Sequence, residues 1–359
     1  MKRKILSYIL ILAIITVLLT SCLTSCRRGK NEVSVFYYTY SDTYISSVRS
    51  AMDTALKRSG ISYHNYDAGS NQTTQTEQID TAIAKGTTML IVNIVDTGSD
   101  DAARTIIEKA RAHNIPVIFF NRSVSEEIIK SYDKCIFVGT NYEEAGHIQG
   151  EMIADYLIRN YEKYDINSDG RISYVLFKGQ QGNAEAEART KYAVEDCNAK
   201  LREKGLGEIV FYDSNNKNGY IVDQDGNWSN AAANNAMKTI LSGYSERGGN
   251  MVELVIANND EMALGAISAL GEAGYNKAGG RIIPVFGVDA TEGAVAKIKE
   301  GYMAGTVKQD GEGMAEAIVK AIGNYVGGMD LLASFGDDML AGDKRINIPY
   351  SLYTGEDAK

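Results

Sequence analysis

The chain reads as an α/β protein of two Rossmann-like lobes, and three observations carry that reading. Apolar runs of strand length alternate with amphipathic stretches of helix length along nearly all of the 359 residues. The runs are continuous rather than alternating, the mark of strands buried on both faces of a parallel sheet. About ten such strands are more than one small doubly wound sheet accommodates, and the length suits two domains.

The strands are expected at 33–38, 89–95, 117–120, 136–138, 172–177, 209–212, 254–257 and 282–288. Helical patterns cover 44–57, 101–113, 143–161, 184–204, 229–241 and 261–273. Alternation of this kind gives parallel sheets with right-handed crossovers.

The N-terminus reads as a targeting segment. Lys2-Arg3-Lys4 is a positive start, and the apolar run after it is short for a membrane span. Leu19-Thr-Ser-Cys22 and Leu23-Thr-Ser-Cys26 then stand in tandem, each a small-residue site ending in Cys that resembles a bacterial lipobox. Cys22, directly after the run, is the expected lipidation site, with Cys26 the alternative. A plain secretory signal with incidental cysteines is the competing reading. Cys135 and Cys197 remain; both sit in apolar surroundings and are expected as buried free thiols, a single disulfide being the alternative. The net charge of −9 and the absence of a basic arm argue against a nucleic-acid partner.

In open α/β sheets ligands sit beyond the carboxyl ends of the strands. Those positions carry Asp42 and Tyr44, Asn121, Asn183, Glu185 and Arg189, Asn258 to Asp260, Asp289, and Gln309 in a segment placed after a further short strand. Trp228, the only Trp, lies in a loop or helix start. Carboxylates, amides and a guanidinium fork pair with hydroxyl groups, and flat rings cover the C–H faces of a pyranose. The inventory suits a polyhydroxylated ligand and needs no catalytic proton transfer. Singly, an Asp or Asn after a strand is as well explained as a helix N-cap.

Residues 165–173, Asp-Ile-Asn-Ser-Asp-Gly-Arg-Ile-Ser, supply oxygens at alternate positions of a tight loop, as a calcium loop does. Asp165, Asn167, Asp169, the Arg171 carbonyl and Ser173 are the candidate ligands. Position 12 is Leu176, so the bidentate carboxylate of a helix–loop–helix site is missing and must come from elsewhere. An Asp/Asn/Gly turn leading into a strand has the same composition. Asp223-Gln-Asp225-Gly226-Asn227 lacks a further ligand at the right spacing and reads as a hairpin or loop turn.

With these residues the chain resembles the periplasmic glucose/galactose-binding proteins of ABC transporters. The resemblance covers essentially everything after the targeting segment. It rests on Glu108-Lys-Ala-Arg111, Pro116-Val-Ile-Phe-Phe-Asn121, the Asp165 loop, Ala186-Glu-Ala-Arg189-Thr, Val255-Ile-Ala-Asn-Asn259-Asp, Pro284-Val-Phe-Gly-Val-Asp289-Ala and Ala304-Gly-Thr-Val307. It implies a type I periplasmic-binding-protein fold with three hinge crossings, near Thr140, Asp310 and Tyr350. The implied organisation is a signal at 1–21, a linker at 22–31, an N-terminal lobe of 32–140 with 311–348, and a C-terminal lobe of 141–310 with 349–359. It implies a sugar site of Asp42, Tyr44, Asn121, Asn183, Glu185, Arg189, Trp228, Asn259, Asp289 and Gln309. It also implies structural Ca2+, with Glu253 as the distant bidentate ligand. Four site positions depart from the family: Tyr44 stands for Phe, Asn183 for His, Glu185 for Asp and Gln309 for Asn. Ser173 replaces a longer amide.

The implied function is delivery of a glucose- or galactose-type monosaccharide to an ABC permease by a lipid-anchored, extracytoplasmic, non-enzymatic monomer. A chemoreceptor or sensor kinase is a further implied partner, and a sugar-sensing lipoprotein without transport is the alternative. A repressor on the same fold would need an N-terminal helix-turn-helix, which residues 1–30 do not provide. A glycosidase would need facing carboxylates, whereas Glu185 and Glu187 lie two apart on a helix and point to different faces.

Overall fold

The computed structural model describes residues 32–355. Cys22 and Cys26, the targeting segment, the linker and residues 356–359 lie outside the described residues. The first sheet opens with β1 (Glu32–Tyr37), β2 (Ser62–Asp67), β3 (Met89–Val92), β4 (Val117–Phe120) and β5 (Cys135–Gly139). The second is built from β6 (Ile172–Lys178), β7 (Ile209–Phe211), β8 (Ile221–Val222), β9 (Leu254–Ala257), β10 (Val285–Asp289) and β11 (Gly305–Gln309). The chain then adds β12 (Leu340–Ala341) and β13 (Arg345–Asn347) to the first sheet and β14 (Tyr350–Thr354) to the second. The strand orders are β12-β13-β5-β4-β3-β1-β2 and β14-β11-β10-β9-β6-β7, with β8 beside β6. Pairing is parallel except at β12–β13 and β11–β14.

Helices cover both faces. The first sheet carries α1 (Thr43–Arg58), α2 (Gln72–Ala84), α3 (Asp101–Ala112) and α4 (Glu126–Lys130). The second carries α5 (Glu144–Ile158), α6 (Tyr161–Tyr164), α7 (Ala184–Glu203), α8 (Asn230–Gly243), α9 (Asp260–Glu272) and α10 (Glu292–Lys299). A last helix, α11 (Gly311–Val326), packs against α1. The chain therefore passes between sheets three times: after β5, at Asp310 between β11 and α11, and at 348–349 between β13 and β14.

The continuous apolar runs explain the layering. Along β4, Ile118 and Phe120 join the core on one face, while Val117 and Phe119 join the core on the other. Each fully buried side chain of this size contributes about 2 kcal/mol relative to exposure. Cys135 and Cys197 are buried free thiols, and burial pushes each up to about 12.

Several elements differ from the sequence reading. β2, Ser-Tyr-His-Asn-Tyr-Asp, is an edge strand beside β1, and its half-buried polar sequence has no apolar run to reveal it. Residues 305–309, expected to come after a short strand, are themselves the strand β11. β3 stops at Val92: the Asn93 N–H still bonds the Phe36 carbonyl, but the Asn93 carbonyl accepts from the Gln75 side chain, and its own buried side chain bonds the Tyr38 N–H and the Phe120 carbonyl. The stretch 143–161 divides into α5 and α6. The acidic segment 223–227, in contrast, is a loop turn as expected, since Asp223 accepts the N–H groups of Asp225 and Ser229. Among the described residues no helix is long and apolar enough to cross a membrane.

Candidate functional site

The strand ends of both sheets face one another across a single cleft. It is lined by Asp42, Tyr44, Asn121, Asn183, Glu185, Arg189, Trp228, Asn259, Asp289 and Gln309, so all ten residues singled out in the sequence meet there. Tyr38, Ile45 and Arg122 complete the lining and were missed. Arg122 had a signal, since it directly follows Asn121 at the end of β4; Tyr38 and Ile45 read as ordinary core.

From the first lobe, Asp42 caps α1 by accepting the Ile45 N–H at 2.8 Å, and its other oxygen accepts the Tyr38 hydroxyl at 2.5 Å. Arg122 lays its guanidinium over the Tyr38 ring, 4.3 Å from the centroid. Asn121 accepts from the Asn93 amide at 3.0 Å, which leaves its own amide N–H groups for the cavity.

From the second lobe, Asn183 and Asn259 cap α7 and α9, accepting from Ala186 and Met262 N–H. Of the acids that an N-cap would equally explain, Asp42 is one, whereas Asp260 lies inside α9 and Asp289 ends β10; Asp42, Asn183 and Asn259 cap helices and still line the cavity wall. Arg189 is held by the Asn258 carbonyl at 2.8 Å, the Tyr350 hydroxyl at 2.9 Å and Gln309 Oε1 at 3.5 Å. Trp228 lies flat on Gly179, where a Cβ would come within 2.1 Å of the ring; only glycine allows that approach.

Backbone strain concentrates at the same place. Asn121, Trp228, Asp289 and Ala290 all have positive φ, which costs a non-glycine residue about 1 kcal/mol or more. Burial pushes the Asp289 carboxyl well above the usual carboxylate range, opposed by the Arg189 guanidinium. Behind it, Asp260 is fully buried, accepts the Thr306 hydroxyl at 2.6 Å and the Thr291 N–H at 2.7 Å, and is pushed by burial up to about 7.

Five buried polar atoms on this lining have no protein partner: Tyr44 Oη, Arg122 Nε, Glu185 Oε2, Arg189 Nε and Gln309 Nε2. A buried unpaired polar atom costs about 1–3 kcal/mol. Three donors, one acceptor and one hydroxyl able to do both thus surround a single space. This is a surface prepared for a ligand rich in hydroxyl groups.

The loop 165–173 lies away from the cavity. Asp165 accepts the Asp169 and Gly170 N–H groups, and Asp169 accepts that of Arg171. Glu253, only 1% exposed, closes on the loop from 80 residues away. Its Oε1 accepts the N–H groups of Ile166 and Asn167, and its Oε2 accepts the Ser173 N–H, while the Ser173 hydroxyl donates to the Met251 carbonyl at 2.7 Å. Burial raises the Glu253 pKa and these donors pull it back. Asp165, Asn167, Asp169, Ser173 and Glu253 offer side-chain oxygens, as a hard cation requires. In this arrangement, however, the carboxylates are spent on N–H groups. Among the described residues no group of three or more His, Cys, Asp or Glu is placed to hold a metal ion.

Comparison with known proteins agrees with the architecture. The family model for a periplasmic binding protein domain matches residues 33–330. The D-galactose/methyl-galactoside binding periplasmic protein MglB of Haemophilus influenzae is 37% identical over 321 residues, covering 89% of this chain and 88% of that one. A putative rhizopine-binding protein of Rhizobium meliloti is 30% identical, covering 88% and 87%. Among solved structures, a Clostridium phytofermentans ABC transporter solute-binding protein with bound β-D-glucose superposes with a TM-score of 0.72 at 21% identity, covering 91% of this chain and 94% of that one. Two facing sheets, three crossings and a cavity at the strand ends are thus matched by sequence over most of the chain, and the protein belongs to the periplasmic binding protein family, as a binding protein and not an enzyme.

Proposed function

We propose that the cavity binds one neutral hexose of the glucose or galactose type and that the closed protein presents it to an ABC permease. The carrying observation is the set of five unpartnered polar atoms around one cavity flanked by the Tyr44 and Trp228 rings. The mixed charge of the lining supports a neutral ligand: Asp42, Glu185 and Asp289 face Arg122 and Arg189. Contacts to both lobes favour the closed state, and that difference drives closure. A relative named for galactose supports the hexose, and relatives named for rhizopine and ribose leave the individual ligand to experiment. Titration calorimetry against a panel of monosaccharides, with Trp228 fluorescence as a second readout, tests the reading. Absence of binding by every sugar at micromolar concentration would overturn it.

The tandem Cys22 and Cys26 motifs support an extracytoplasmic protein tethered by a lipid on one of these thiols. Mass spectrometry of the native N-terminus checks this; an unmodified N-terminus upstream of both cysteines refutes it.

We also propose that the loop takes Ca2+ through Asp165, Asn167, Asp169, the Arg171 carbonyl, Ser173 and Glu253. The oxygen-only donor set and the approach of Glu253 support it. Both positions on Glu253 Oε1 are taken by N–H groups, so a cation held by both carboxylate oxygens must displace at least one of them. Bound metal stabilises the folded state by mass action. Chelation should therefore lower the melting temperature and added calcium should restore it, with sugar affinity little changed. An identical melt with and without chelator would dismiss the calcium.

A further inference from the structure

Three hydrogen bonds join the lobes along one rim of the cavity, and each runs from protein to protein. Arg122 donates to Gln180 Oε1 at 2.5 Å, the Ser123 N–H donates to Glu185 Oε1 at 3.1 Å, and Asn183 Nδ2 donates to Thr97 Oγ1 at 3.3 Å. On one side stand the loops after β3 and β4; on the other stands the single segment 180–185, which runs from the loop after β6 into the first turn of α7.

Both sides are braced from behind. Arg345, on the strand leading into the third crossing, donates to the Val124 carbonyl at 3.0 Å and to the Ser123 hydroxyl at 3.1 Å. Lys178, fully buried, lies 2.7 Å from the Glu187 carboxylate and 4.3 Å from the Tyr220 ring centroid. Glu187 in turn accepts the Gly182 N–H at 2.8 Å, fixing the base of the segment. The opposite rim differs. There Thr39, Ser41 and Ser70 face Asn227, Asn230 and Glu261 across a groove, and among the described residues no hydrogen bond spans it.

We propose that segment 180–185 is a latch whose bonds need no ligand atom, with Gln180, Asn183 and Glu185 as positioning residues that set how far the lobes close on their own. Glu185 links the latch to the cavity, with Oε1 on Ser123 and Oε2 unpartnered in the lining. A share of the ligand-free protein is therefore closed, and the closing cost that a ligand must meet is smaller by that share. The effect on ligand affinity rests on the sugar-binding reading; the closure of the ligand-free protein does not.

Thr97→Val and Gln180→Ala remove two of the three bonds without touching a cavity-lining residue. Small-angle X-ray scattering of the ligand-free proteins is the test. The parent is expected to have the smaller radius of gyration, the double variant the larger, and each single variant a value between them. With glucose or galactose present, the double variant should return to the compact value, with affinity roughly three- to tenfold weaker. Identical scattering of the ligand-free parent and double variant overturns the latch. A difference in scattering with no sugar bound by either protein leaves the latch standing and removes the sugar reading instead.

Discussion

Glu253 and Glu185 are both nearly sealed from solvent, at 1% and 6% exposure, yet they are spent in opposite ways. Glu253 meets three backbone N–H groups of the loop it closes on. Glu185 gives one oxygen to Ser123 across the lobes and leaves the other bare in the cavity. Burial alone therefore does not separate a structural carboxylate from a binding one. The count of partners does, because a satisfied carboxylate has already recovered its desolvation cost and an unsatisfied one has not.

The largest effect should come from breaking the satisfied member. Glu253→Ala leaves three backbone N–H groups without their acceptor and should cost about 3 kcal/mol of folding stability, read from urea melts, with sugar affinity unchanged. A loss below about 1 kcal/mol would erase the contrast with Glu185.

In the cavity the signs should reverse. Asp289→Ala should weaken sugar binding by about 2 kcal/mol, because a charge-assisted or carboxyl hydrogen bond is lost in a dry site. The ligand-free protein should not be destabilised, since Asp289 is buried against its charge. Calorimetry and melting of one preparation check both halves; equal affinity of variant and parent would remove Asp289 from the site.

Tyr44→Phe should cost about 1 kcal/mol of affinity if the unpartnered hydroxyl bonds the ligand, and nothing if the ring only stacks. The smallest effect concerns Asp260. Its pKa is raised to about 7, so its contribution is fully present below the usual carboxylate range and is lost as pH rises through about 7. Stability of the ligand-free protein should decline over that interval, and less steeply in Asp260→Asn. Parallel slopes would show that the Thr306 and Thr291 donors outweigh burial.

The sequence made the layers and the cavity wall legible for one physical reason. Parallel strands buried on both faces must be apolar throughout, so the polar residue that ends each run marks the ligand side of the sheet. Asn121, Asn259 and Asp289 were found in this way. Elements without that contrast escaped. β2 is a half-buried edge strand of mostly polar residues, and β12 and β13 are too short to form a pattern. Arg122 was passed over because a charged residue in a loop has a solvated face as its default, and here Tyr38 and Gln180 take it instead. The pairing of Glu253 with the loop spans 80 residues and leaves no local trace; family resemblance alone suggested it. The double duty of Asn183, capping α7 while reaching Thr97, appears only when both lobes are in view.

Tyr350 sits where the third crossing enters the second sheet, and its hydroxyl is shared by Thr140 on the first crossing and by Arg189 in the cavity. In mechanical terms the guanidinium is mounted at the fulcrum. A small rotation there sweeps a long arc at the far rim, where no crossing passes. The lever also works in reverse: a transmembrane partner tugging weakly on that rim would act with multiplied force on the grip at Arg189, so prising the sugar loose asks little of the surface that does the prising.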